Sequence, residues 1–237
     1  MNNIEKLQNI IDTYDDIVFF TGAGVSTGSG IKDFRGKNGI YKDKSNINPE
    51  YLLSVNCFNN EPELFYDFYK NNMNSLNIEP NVVHKYLKKL EDKGKLKSII
   101  TQNIDGLHEK SGCKNVIPIH GTIYENHCIL CGKSYSANYV FDSIGVPRCT
   151  CTGIIKPDVV LYGESLYDNF IKAQYLCYTS QVLIVLGTSL LVEPAASLVG
   201  LFKGEKLVII NDSKTPYDNK ADLVIHEDLN KVFELLK

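Results

Sequence analysis

Four cysteines, arranged as Cys128-x-x-Cys131, seventeen residues, then Cys149-x-Cys151, are the sharpest chemical signal in the chain. Two close pairs at that separation approximate a zinc ribbon with one residue missing from the second knuckle. Four thiolates complete a tetrahedral shell and leave no position for water or substrate, so the expected zinc is structural. An extended tripeptide can turn its two end side chains to one side, which lets Cys149 and Cys151 reach one ion. The alternative is four unligated buried thiols. Cys57, Cys113 and Cys177 are isolated and read as packing residues.

A second signal is the glycine turn Thr21-Gly22-Ala23-Gly24-Val25-Ser26, which follows the apolar run from Ile17 to Phe20. After a strand, such a turn brings backbone amides and a helix N-terminus up to a pyrophosphate. With Gly28 the spacing is G-x-G-x-x-x-G, not the dehydrogenase fingerprint, and no G-K-[ST] follows to hold a nucleoside triphosphate. Taken alone, the turn reads equally well as an ordinary tight turn. Two more strand ends, Leu186-Gly187-Thr188-Ser189 and Ile209-Ile210-Asn211-Asp212, offer small and hydroxyl side chains that suit phosphate and ribose. Three such ends favour a dinucleotide, although Thr188 and Ser189 also suit helix caps.

A fourth strand runs from Ser98 straight into Thr101-Gln102-Asn103-Ile104-Asp105-Gly106. Asn103 and Asp105 can hydrogen-bond a carboxamide or a ribose, and turn formation is the competing reading. His120 follows the apolar run from Val116 to Ile119 and borders the cysteine-rich stretch. An imidazole there could act as a general base near neutral pH, with a structural role the alternative. His84, His108, His127 and His226 look like helix or loop residues.

These groups need a frame. Ile4, Leu7, Ile10, Ile11 and Tyr14 recur at helical spacing, as does the pattern from Val83 to Leu90. Short apolar runs at 17–20, 98–101, 182–186, 207–210 and 223–225 alternate with them, which predicts an α/β fold with a Rossmann-like, doubly wound parallel sheet. Composition shifts mark two insertions, so three parts are expected. Residues 1–36, 81–120 and 156–237 form the nucleotide-binding domain, 37–80 a helical insertion, and 121–155 the zinc module.

The 237 residues are 43% hydrophobic, enough for a sizeable core. A net charge of -3, from 25 basic and 28 acidic residues, gives no electrostatic reason to expect a nucleic-acid or membrane partner. The N-terminal stretch lacks the basic start and apolar run of a secretory signal, and nothing approaches the ~20 apolar residues of a membrane span. With seven cysteines and no secretion signal, a cytoplasmic protein with reduced thiols is expected.

The blocks from Gly22 to Gly36, Thr101 to Gly112 and Ile119 to Gly121, the cysteine pairs, Lys156-Pro-Asp-Val-Val-Leu-Tyr-Gly-Glu164 and Leu186 to Leu190 resemble the sirtuins in order and spacing over nearly the whole chain. The resemblance implies a cleft between a Rossmann-like domain and a smaller zinc-and-helix domain, where NAD meets an acyl-lysine protein or peptide. It assigns Gly22, Ala23, Ser26, Gly187, Thr188, Ser189 and Asn211 to the adenosine and phosphates. Gln102, Asn103, Ile104 and Asp105 fall near the nicotinamide and its ribose, and Asp33, Phe34 and Arg35 in the segment that closes over the cofactor. His120 matches the general base and Asn103 a catalytic partner. Val159, Val160, Leu161, Tyr162, Gly163 and Glu164 match the segment that pairs with the peptide backbone, a mode with little sequence demand. From its residues alone, Val159 to Tyr162 reads as an ordinary short strand. The implied reaction is lysine deacylation, yielding free lysine, nicotinamide and O-acyl-ADP-ribose.

Sirtuins that prefer acidic acyl groups resemble one another in a Tyr-x-x-Arg pair. The corresponding stretch here is Tyr66-Asp67-Phe68-Tyr69, without the guanidinium that would pair with a carboxylate, so desuccinylation is disfavoured. A mono-ADP-ribosyltransferase or NAD hydrolase on the same scaffold, and a non-catalytic NAD-sensing module, are the rival functions.

Overall fold

Strands buried on both faces are written as runs of Val, Ile, Leu and Phe, and such runs build the large sheet. In a computed structural model, which describes every residue except 35, 37, 38, 43–46 and 167 and of Lys42 only the backbone, six strands lie parallel. They are β1 (Ile17–Thr21), β2 (Leu96–Thr101), β3 (Val116–Pro118), β7 (Val182–Leu186), β8 (Lys206–Ile210) and β9 (Leu223–Ile225), in the order β3-β2-β1-β7-β8-β9. The intervening β4 (Gly121–Cys128), β5 (Ser134–Ser136) and β6 (Ile155–Val159) form a separate antiparallel sheet in the order β5-β4-β6.

Period-two alternation divides the large sheet's core into two layers. Ile17, Phe19, Ile99 and Ile184 face the layer shared with the helices Asn3–Thr13, Val82–Asp92 and Leu229–Glu234. Val18, Phe20, Ile100 and Val185 face the layer shared with Asp168–Thr179 and Ser197–Gly200. Each fully buried side chain of this size contributes about 1.5–3 kcal/mol relative to exposure. Two capping boxes start the helices on the first face: Asn2 with Glu5, and Asn81 with His84. The Asn81 amide also donates to the Val25 carbonyl at 2.8 Å, tying its helix to the glycine turn.

The small lobe has a third core of different composition. Phe58, Phe65, Tyr66 and Tyr69 of the segment after β1 share it with Ile123, Cys128, Val140, Cys149 and Ile155 of the cysteine module. Tyr69 stacks on Phe65 and on Phe141 at centroid distances of 5.6 and 5.5 Å. The Tyr66 hydroxyl donates to the Ile155 carbonyl, and Lys70 Nζ to the carbonyls of Ser143 and Gly145, both at 2.6 Å. Two insertions that are far apart in sequence are therefore packed as one body.

Three readings of the sequence, two of them alternatives, meet a different local structure. The strand placed at Val159 to Tyr162 is instead β6, Ile155–Val159, paired with β4, so the break expected between residues 155 and 156 falls inside a strand. The glycine turn leads into two 3-10 turns, Ala23–Val25 and Thr27–Ser29, rather than a helix with an amide-lined N-terminus. Finally, Thr188 and Ser189 cap no helix: Thr188 Oγ1 accepts from the Leu190 amide at 3.3 Å, and the next helix begins at Ser197. No helix among the described residues is long and apolar enough to cross a membrane.

Candidate active site

The strand order reverses between β1 and β7, and a crevice beyond the carboxyl ends of strands at such a switch point is where open α/β sheets bind ligands. Chain meets chain closely there. Gly22 N–H donates to the Leu186 carbonyl at 3.0 Å and Gly24 N–H to the Gly187 carbonyl at 2.8 Å. A Cβ on Gly22 would lie 2.7 Å from Thr188 Cβ, and one on Gly24 would lie 2.7 Å from Gly187 Cα. Gly187 itself has φ +59. The glycines are thus required first by the approach of two turns to each other, which sets Gly22 against Thr188.

The polar end of β2 closes onto the same turn. Asn103 Nδ2 donates to the Gly22 carbonyl at 3.1 Å and to Ser26 Oγ at 3.2 Å, and Ser26 Oγ donates to Asp105 Oδ2 at 2.7 Å. Asp105 Oδ1 accepts the Leu107 amide at 2.9 Å. Burial pushes the Asp105 carboxyl up, and the bonds from Ser26 and Leu107 pull it back. Gln102 Nε2 reaches Thr188 Oγ1 at 3.1 Å, and the Ile104 carbonyl accepts from Ile123 of the small lobe at 3.1 Å. Asn103, Ser26 and Asp105 therefore form one hydrogen-bonded chain that ends on the Gly22 carbonyl, and Gln102 and Thr188 form a separate pair.

The other expected cofactor contacts lie at its margin. Ser189 is half-buried, and the Asn211 amide is turned onto the Ser213 carbonyl at 2.7 Å while the preceding Ile210 carbonyl accepts from Gly187. Asp33 and Phe34 are held from their carbonyls by the amides of Ile40 and Tyr41, at 2.8 and 3.0 Å. Arg35 lies outside the described residues.

His120 follows edge strand β3, and its orientation is fixed by one bond. Its Nδ1 lies 2.9 Å from the Gln102 carbonyl. A carbonyl only accepts, so Nδ1 carries the proton and Nε2 keeps its lone pair. Burial lowers the His120 pKa and the Gln102 bond partly opposes that, leaving a neutral imidazole at pH 7. The His120 carbonyl in turn accepts the Val160 amide at 2.9 Å, joining the imidazole to the segment expected to pair with a peptide.

That segment is braced at both ends. Tyr162 N–H donates to Leu53 and its carbonyl accepts from Val55, both at 3.0 Å. Glu164 Oε2 accepts the Leu161 amide at 2.8 Å and lies 3.2 Å from Lys156 Nζ. Glu164 thus shapes the turn that presents Val159 to Gly163. Sequence reasoning missed Lys156 in this role, and also missed Ser75, whose hydroxyl donates to the Asp105 carbonyl at 3.1 Å. The lysine and glutamate flanking one strand and turn were a signal for the first; nothing in the sequence points to Ser75.

The four cysteine sulfurs all lie within 4.8 Å of one another, with Cys128 and Cys151 at 3.5 Å and Cys131 and Cys149 at 3.6 Å. A zinc ion with bonds of about 2.3 Å needs sulfurs about 3.8 Å apart, so the cluster fits it. The residue missing from the second knuckle is absorbed by a tight turn. Cys149 N–H donates to the Gly153 carbonyl at 2.8 Å, and Thr152 takes a left-handed φ of +72. Protonation suits a cation too. The Cys151 amide, 3.5 Å from the Cys149 sulfur, draws the Cys149 thiol down, whereas Cys151 is pulled down by Gly153 but pushed up further by the neighbouring sulfurs. A divalent ion relieves that repulsion and lets all four bind as thiolates.

The model of the Sir2 family matches residues 22–194. The chain belongs to the Sir2 family, the sirtuins. It is 49% identical to the NAD-dependent protein deacetylase of Clostridium acetobutylicum, over 99% of this chain and 98% of that protein. Identity to the protein of the same name from Clostridium perfringens is 50%, over 98% and 97%. Among solved structures, a Sir2 holding a deacetylated p53 peptide and 3′-O-acetyl ADP ribose superposes with a TM-score of 0.91 at 38% identity, covering 98% of this chain and 96% of that one. A Sir2 with p53 peptide and NAD+ gives 0.88 at 37% identity, covering 99% and 96%. In this sirtuin, Tyr66 and Tyr69 belong to the buried core of the small lobe.

Proposed function

We propose that this sirtuin is an NAD-dependent protein lysine deacylase that takes acetyl or longer apolar acyl groups from lysine side chains and yields free lysine, nicotinamide and O-acyl-ADP-ribose. The observation that carries the reading is His120: its tautomer is set by the Gln102 carbonyl and its own carbonyl is bonded to Val160. One residue thus joins the strand end assigned to the nicotinamide ribose to the segment assigned to the peptide.

The resemblance gives each of the site residues a task. Gly22, Ala23, Ser26, Gly187, Thr188, Ser189 and Asn211 bind the adenosine and phosphate portion of the dinucleotide at the switch point. Gln102, Asn103, Ile104 and Asp105 hold the nicotinamide end, with Asp33, Phe34 and Arg35 closing over it. The backbone from Val159 to Gly163, braced by Glu164, pairs with the peptide. NAD would supply the electrophilic ribose carbon, which takes the acyl oxygen as its bond to nicotinamide breaks, and one water is consumed overall in freeing the lysine. His120 Nε2 accepts the proton of a ribose hydroxyl, a task that needs the neutral imidazole which burial maintains. The amide oxygen is a weak nucleophile, so close alignment and exclusion of water supply much of the rate. Cys128, Cys131, Cys149 and Cys151 hold zinc in a structural role, and we place the protein in the cytoplasm, where its thiols stay reduced.

The test incubates the protein with an acetyl-lysine peptide with and without NAD and follows peptide mass and nicotinamide together, with His120→Ala as control. Matched loss of acetyl and release of nicotinamide, reduced about 10²–10⁴-fold in the variant, is expected. Nicotinamide release that does not depend on the acyl peptide would replace this reading with ADP-ribosyl transfer or hydrolysis.

A further inference from the structure

Tyr41 and Tyr162 meet where the two binding segments of the proposed site touch. Their hydroxyl oxygens are 2.7 Å apart, although the residues are 121 positions apart in sequence. Neither side chain is fully buried, and both pack against the aromatic core of the small lobe.

Each tyrosine is tied by backbone hydrogen bonds to its own segment. On one side, Tyr41 N–H donates to the Phe34 carbonyl at 3.0 Å, the adjacent Ile40 N–H to the Asp33 carbonyl at 2.8 Å, and the rings of Phe34 and Tyr41 meet edge to face at 5.7 Å. Tyr41 therefore moves with Asp33 and Phe34, the residues placed over the dinucleotide. On the other side, Tyr162 is pinned through its amide and its carbonyl by Leu53 and Val55, and it sits two residues beyond Val160, the partner of the His120 carbonyl. A shift of Tyr162 is carried to the peptide-pairing backbone. The phenol pair is a side-chain hydrogen bond that joins these two units.

We infer that the paired hydroxyls of Tyr41 and Tyr162 are a positioning latch that couples the segment over the dinucleotide to the segment that pairs with the acyl peptide, so that binding of either cosubstrate favours binding of the other. The inference rests on the deacylase reading above. Its physical content is thermodynamic: a contact made only when both segments are in their binding arrangement contributes the same coupling to both ligands. A neutral hydrogen bond of this kind supports a coupling factor of about fivefold. Loss of one hydroxyl leaves its partner half-exposed and able to bond water, so the fold tolerates the change.

The experiment measures, by calorimetry, the affinity of an acetyl-lysine peptide with and without a non-cleavable carba analogue of NAD. It compares the unmodified protein with Tyr41→Phe, Tyr162→Phe and the double variant. The ratio of the two affinities is the readout, because it cancels any change in peptide affinity alone. In the unmodified protein the analogue is expected to tighten the peptide, Tyr41→Phe to reduce that ratio about fivefold, and Tyr162→Phe and the double variant to reduce it by the same amount and no more. An unchanged ratio in Tyr41→Phe, or independent losses that multiply in the double variant, overturns the latch while leaving the deacylase reading intact. Failure of the unmodified protein to bind either ligand overturns both.

Discussion

The two lobes are held together by different physics. The strands of the large sheet are aliphatic runs in which Val18, Phe19, Ile99, Val182 and Ile184 are wholly buried, and helices on both faces close a core that needs nothing else. The small lobe is assembled from two stretches that are remote in sequence. Its core is rich in aromatic rings, its sheet has three strands, and four of its cysteines gather their sulfurs within 4.8 Å of one another. A small core with few strands is marginal without a metal or similar staple. The large lobe therefore carries the stability, and the small lobe's order depends on zinc.

Metal removal breaks the comparison hardest. Structural zinc supplies about 10–16 kcal/mol of apparent binding free energy in small modules, so stripping it is expected to melt the small lobe while the parallel sheet persists. A chelator titration followed by near-UV dichroism, which reports the stacked tyrosines, and by far-UV dichroism, which reports the sheet, is expected to give two separate transitions. A single transition shared by both signals would mean that the lobes unfold as one unit. In the large lobe, Ile184→Ala leaves a cavity between fully buried neighbours and is expected to cost about 2–5 kcal/mol, read as a lower urea midpoint with the zinc still bound.

The same contrast governs how much could be read in advance. The parallel sheet was legible because short aliphatic runs that alternate with helical periods have one economical arrangement, and the cysteine pairs because thiolate spacing is set by the ion they would bind. The fused core of the small lobe was not legible. Contacts such as Tyr66 to Ile155 or Tyr69 to Phe141 cross more than seventy residues, and no local period encodes them. In the site, Gln102, Asn103 and Asp105 stood out as polar residues at a strand end. The reason for the glycines did not, because it lies in the approach of Gly24 to Gly187 on a different strand. Nor did the brace of Lys156 on Glu164, since a charged pair in sequence looks the same whether it is solvated or turned inward.

Acid sharpens the contrast from the side of the large lobe. His84 and His108 are buried there with ring centroids 4.8 Å apart, and His84 Nε2 and His108 Nδ1 have no partner among the described residues. Burial lowers His84 to about 4 and His108 well below its ordinary value. Between pH ~6.5 and 4 the unfolded chain binds protons that the folded one refuses, so the stability is complete above ~6.5 and is lost as pH falls. Each histidine contributes up to about 1.4 kcal/mol per pH unit in that window. His84→Gln, which keeps a residue suited to the capping box with Asn81, is expected to remove one histidine's share of the slope in urea unfolding from pH 7 to 5. An unchanged slope would remove His84 from the account. In catalysis, the lowered pKa of His120 is expected to put the acid limb of the pH–rate profile below ~6.5.

The smallest effect concerns the aromatic stack that joins the two insertions. Tyr69 lies fully buried between Phe65 and Phe141, and its hydroxyl has no hydrogen-bond partner among the described residues. Burying an unpaired hydroxyl costs about 1–3 kcal/mol, whereas the ring that carries it is fully used in packing. Tyr69→Phe keeps the ring and removes the cost, so it is expected to stabilise the small lobe by about 1 kcal/mol and to raise the chelator concentration needed to melt it, with the large-lobe transition unmoved. Tyr66→Phe supplies the opposite sign, because the Tyr66 hydroxyl donates to the Ile155 carbonyl and its loss leaves a buried acceptor unpaired. If both substitutions shifted the small-lobe transition the same way, the stability of that lobe would rest on ring packing and zinc alone, and its few buried polar contacts would have no measurable share in joining the helical insertion to the cysteine module.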